Sequence, residues 1–145
     1  MRRSVAVSWH AVSFVVAAGL YFLFVLPRWW ELSGSHISHT QGTALRIVTG
    51  VVLALTALPV FFTLRHTRRP EFGTPQLALS LRIWSIVGQV LAGVLVVGTA
   101  ISEIWLSLDK AGSWLFGIYG AAAAIAVLAA IAFYVAFAAE RPPAP

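Results

Sequence analysis

Four apolar stretches, each close to the length of a helix that crosses a bilayer, constrain this chain more than any other feature. They cover about residues 5–27, 44–65, 83–106 and 114–139. An α-helix needs about 20 apolar residues to traverse a hydrocarbon layer about 30 Å thick. The six tryptophans mark the ends of these runs, Trp9 and Trp84 on one side and Trp29, Trp30, Trp105 and Trp114 on the other. Tryptophan favours the headgroup level, where its ring is half wet and its N–H finds a partner. The expected fold is all-α: an integral membrane bundle of four transmembrane helices, with residues 1–145 forming a single transmembrane domain.

Composition closes the soluble alternative. The chain is 59% hydrophobic and 10% charged, with a mean hydropathy of +0.86. A soluble domain of this size has too much surface for its volume to hide so much apolar area. Cysteine is absent, which excludes disulfides, thiolate metal sites and thiol nucleophiles.

The formal charge of +5 is a statement about topology. Arg2, Arg3, Arg65, Arg68, Arg69, Arg82 and Arg141 fall on one side of a four-span arrangement, against Arg28, Arg46 and Lys110 on the other. The positive-inside rule then puts both termini in the cytoplasm. Nucleic acid is not an expected partner, because no basic, aromatic surface remains outside the bilayer. The expected partners are the lipid bilayer and other membrane subunits, or a second copy of the chain. Arg2 and Arg3 before an apolar run read as a retained anchor, since no small-residue cleavage site follows. Richness in Ala, Val, Arg and Pro fits a bacterial inner membrane protein with several crossings.

Small residues mark packing faces. Gly117, Gly120, Ala121 and Ala124 form overlapping small-xxx-small pairs, and Gly88 with Ala92 offers a second seam. In lipid such seams let helix backbones approach closely. Pro59 interrupts the second run and is expected to kink it.

Few polar residues lie within the runs. His10 sits about one turn inside the first, and His66 ends the second at similar depth. Such histidines can hold a haem or another tetrapyrrole, relay protons, or simply bond to a neighbouring carbonyl. Arg46 and Glu103 lie at matched depth on the opposite side, where opposite charges should pair. They form either a structural ion pair or a proton or cation site at Glu103. Gln89 is the one amide near the midplane and is expected to bond across the bundle. His36 and His39, with Glu31, offer metal ligands on the external connection. No catalytic motif occurs.

His10, the run Ala18-Gly19-Leu20-Tyr21 and Leu26-Pro27-Arg28 resemble the first span of small multi-helix bacterial membrane proteins of the CopD/HemJ type. That resemblance implies a haem-ligand role for His10. Three functions follow from these residues. The first is a small non-catalytic subunit, or an assembly or stabilising factor, of a larger membrane complex. The second is a tetrapyrrole-associated redox protein centred on His10. The third is a small ion- or proton-coupled transporter using Glu103.

Overall fold

Each apolar run forms helix, because lipid offers no partner to a backbone N–H or C=O left outside a hydrogen-bonded element. A computed structural model describes residues 3–25, 39–106 and 108–140. Helix α1 covers Arg3–Leu20 and continues as a π-helical turn over Tyr21–Val25. Helices α2 (His39–Leu55) and α3 (Ala57–Thr67) together make the second span. A 3-10 turn at Pro70–Phe72, closed by Gly73 in the left-handed conformation (φ 57°), leads into α4 (Gln76–Ser102). Helix α5 covers Leu108–Ala139 and bends at Ala111. Among the described residues, four stretches are long and apolar enough to cross a membrane: Arg3–Val25, Gln41–Thr67, Gln76–Ser102 and Ala111–Ala139. The protein is a multi-pass membrane protein.

Two boundaries differ from those expected. Helix α4 begins at Gln76, ahead of the apolar run that starts near residue 83, with Pro75 at its N-cap. Glu103 is the C-cap of α4, so the helix ends ahead of residue 106. The second span breaks at Thr56, three residues before Pro59. Pro59 has no N–H for the Leu55 carbonyl, and its ring crowds that same oxygen. The hydroxyl of Thr63 donates to the Pro59 carbonyl at 2.8 Å.

The spans run up and down in sequence. The first lies against both halves of the second, the second against the third, and the third packs most extensively on the fourth. Cross-pairs fix the antiparallel sense: Trp9 stacks on Phe62 at 5.8 Å, and Ser85 donates to the Ala129 carbonyl. Two buried apolar clusters fill the interior. The larger centres on Ala17, Leu53, Ala92, Val96, Tyr119 and Ala126, and the smaller on Ala6, Val60, Phe133 and Phe137.

At the described glycines, close approach occurs at two crossings. A Cβ on Gly50 would stand 2.8 Å from the Gly93 carbonyl oxygen, and one on Gly93 would stand 2.8 Å from the Ala54 nitrogen. At the other crossing, a Cβ on Gly88 would meet Ala129 Cβ at 2.8 Å, beside the fully buried Ala92. With lipid tails as apolar as leucine, association here rests on dispersion between nearly touching backbones. The Gly117/Gly120/Ala121/Ala124 seam makes no close backbone approach at its glycines. Nothing lies within 4 Å of a Cβ at Gly117 or Gly120, and Gly117, Ala121 and Ala124 are exposed. The rotation of α5 is set by Leu115, Tyr119, Ala122, Ala126 and Phe133 on its buried stripe.

Gly93→Ala should therefore destabilise the protein by about 1–3 kcal/mol, the usual cost of overpacking. Gly117→Ala should leave stability unchanged or slightly raised. Thermal unfolding midpoints in detergent check both, and equal effects of the two variants would contradict the assigned crossing.

Candidate functional site

Polar side chains within the spans gather into three tiers, each joining several helices. The tier at the α4–α5 turn is the most connected. Arg46 and Glu103 are almost wholly buried, and Arg46 Nε lies 3.0 Å from Glu103 Oε2. The Tyr119 hydroxyl donates to the same carboxylate oxygen. Arg46 also donates to Thr43 Oγ1 at 3.0 Å. Tyr21, in the π-helical turn, donates its hydroxyl to the Tyr119 carbonyl at 2.9 Å. All four spans thus meet around one guanidinium–carboxylate pair. A π-turn shifts the helical register by one residue, and here it carries the tyrosine that ties the first span into the tier.

The middle tier is centred on His10, which is fully buried. Its ring Nδ1 lies 3.1 Å from the Tyr134 hydroxyl and its Nε2 lies 2.9 Å from Gln89 Oε1. Gln89 Nε2 donates to Ser85 Oγ at 2.8 Å, and Ser85 donates to the Ala129 carbonyl at 2.6 Å. These bonds orient one another. Ser85 gives its only proton to a carbonyl, so it accepts from the Gln89 amide nitrogen, and Gln89 turns its oxygen to His10. A neutral imidazole with its proton on Nε2 completes the chain, with Tyr134 donating to Nδ1. Aromatic rings enclose the imidazole: Phe133 at 4.6 Å and Phe14 at 5.6 Å between centroids.

The third tier lies near the chain ends. Arg82, fully buried, pairs with Glu140, donates to Thr67 Oγ1 at 3.1 Å and lies 4.9 Å from the Phe137 ring centroid. Arg3 sits over the same ring at 4.6 Å. Arg82 counted in the sequence as a charge setting topology; in the structure it is also a buried interhelical clamp. Its partner was legible, because Glu140 ends the fourth run at the depth where Arg82 begins the third.

The remaining candidates are dispersed. His66 is half-buried with its ring 4.8 Å from that of Phe72, and its ring contact is with Phe72 rather than with His10. Holding a haem iron on His10 would require breaking its bond to Gln89 or to Tyr134, since both ring nitrogens are engaged. Glu31 and His36 lie outside the described residues, as does the side chain of His39. Among the described residues, no group of three or more His, Cys, Asp or Glu gathers as a metal site.

All three tyrosines of the chain take part in these tiers. Each lies inside an apolar run, where a phenolic hydroxyl needs a partner, and that is the signal the sequence carries for them.

Glu103→Ala leaves Arg46 buried without its carboxylate and should cost about 3–5 kcal/mol. Tyr119→Phe removes one hydrogen bond and should cost about 1 kcal/mol. A double-mutant cycle of Arg46 and Glu103, read by unfolding in detergent, should show strong coupling; additive losses would contradict the pairing.

Relatives place the chain in a family. A family model described as the lipid uptake coordinator A family matches residues 2–138. The chain is 69% identical over 123 residues to a Mycobacterium tuberculosis protein named lipid uptake coordinator A, covering 84% of this chain. The aligned part is 48% of that protein, so the chain spans about half the length of the curated relative it matches. No solved structure matches it. A match along almost the whole chain overturns the CopD/HemJ-type resemblance, which rested on residue types in the first span that recur in many membrane helices. The chain belongs to the lipid uptake coordinator A family.

Proposed function

We propose that this chain is a non-catalytic membrane component of a lipid-import system, one that holds or stabilises other membrane subunits. The observation that carries this reading is the 69% identity to a protein whose name is lipid uptake coordinator A. The use of the buried polar groups supports it. Arg46, Glu103, Arg82 and His10 all bond to neighbouring spans, as groups that fix helices against one another do. The competing roles, a tetrapyrrole on His10 or a transported ion at Glu103, draw on groups already engaged in those bonds. The small-residue face of α5, turned away from the chain's own interior, is compatible with a neighbouring membrane protein.

The proposal extends to placement. Residues 1–145 act as one transmembrane domain in a bacterial inner membrane, with both termini cytoplasmic. Support comes from the excess of arginine on the side of the α3–α4 connection, where Arg65, Arg68 and Arg69 are exposed.

Depleting the protein from its native membrane should lower both the uptake of a radiolabelled fatty acid and the steady-state level of membrane proteins that co-purify with it in mild detergent. Unchanged uptake with unchanged partner levels would refute the role. Topology is checked separately. A reporter active only in the cytoplasm should give signal at either terminus, and signal only from a periplasmic reporter would reverse the orientation.

A further inference from the structure

The first and fourth spans are tied together by side chains rather than by close backbone packing. The ties are His10 to Tyr134 at one level and Tyr21 to the Tyr119 carbonyl at another. Between them lies a groove of about 100 Å³. Ala17, Leu53 and Ala126 form its buried floor, and Phe22 and Val127 stand at its rim, 58% and 49% exposed. Its lining exposes only apolar surface.

We infer that this groove is a binding site for one acyl chain of a membrane lipid. Five arguments converge on that occupant. The lining gives a water molecule no polar partner, and apolar cavities of this kind stay dry and take apolar ligands. An unfilled space costs its walls their dispersion contacts, which a methylene chain restores. The site is preformed, because the two hydrogen-bonded ties on either side set the spacing of the helices, and alanines on the floor keep it hollow. The groove lies between residues 14 and 22 of the first span, within the stretch expected to sit in hydrocarbon, so the surrounding bilayer delivers the ligand sideways past Phe22 and Val127. Bulky residues at the rim over the floor alanines Ala17 and Ala126 suit a narrow, flexible chain better than a helix.

This inference does not rest on the proposed role in lipid import: a chain that held no partner could still bind the lipid, and the reverse. The test uses the full chain in detergent micelles and phosphatidylcholine carrying a diazirine within one acyl chain. Photolabelling should saturate, map to Phe22 and Val127, and fall at least tenfold when unlabelled phosphatidylcholine is added in excess. Ala17→Leu and Ala126→Leu, which fill the floor, should remove the saturable label while labelling of Val94, on the exposed face of α4, persists. Competition on the unaltered chain keeps the test decisive even if both variants fail to fold. Labelling that rises without saturation, or equally at Val94 and Val127, would overturn the proposal. So would saturable labelling by diazirine-bearing palmitate from which the phospholipid is excluded.

Discussion

A guanidinium and a carboxylate held inside a membrane-spanning bundle determine how the rest of this protein must be built. Either charge alone in hydrocarbon is costly, and neither can be left without its partner once the spans have closed around them. The contact between Arg46 and Glu103 therefore sets the relative height of the second and third spans. Tyr119 on the same carboxylate and Tyr21 on the Tyr119 backbone extend that constraint to the fourth and first spans. The capping position of Glu103 matters too, because the turn that follows brings α5 back with Tyr119 at the height of the pair.

The other tiers repeat the principle with different chemistry. Around His10, a chain of neutral donors and acceptors links the first, third and fourth spans through the middle of the bundle. Around Arg82, a second ion pair lies where the third and fourth spans meet, with the guanidinium over an aromatic face. Between tiers the association depends on glycine and alanine. Hydrogen bonds and ion pairs specify which helices meet and at what height, while Gly50, Gly93 and Gly88 allow the backbones to come close enough for dispersion to hold them. The first span is the exception, joined to the fourth at discrete points, and that arrangement leaves the apolar groove.

How much of this was legible depends on whether a property is one-dimensional. Depth is, so Arg46 and Glu103 could be placed at one height, and Arg82 and Glu140 could have been placed by the same reasoning. Helix rotation is not. Gly117, Gly120, Ala121 and Ala124 have the spacing of a packing seam, yet α5 turns that face outward, because its bulkier Leu115, Tyr119 and Phe133 take the interior. Partner choice is also hidden: nothing in the spacing of Tyr21, Ser85 or Tyr134 says which carbonyl or ring nitrogen will face it.

The sequence by itself determined that the chain is helical and lies in a membrane. Hydrophobic length, aromatic ends and arginine placement act locally against a fixed external solvent and need no knowledge of neighbours. Only the tertiary structure decided which polar groups satisfy one another, which small residues face a neighbouring helix and where a groove remains. Those outcomes follow from the rotation and crossing of helices, which arise when all four spans compete for the same few close contacts.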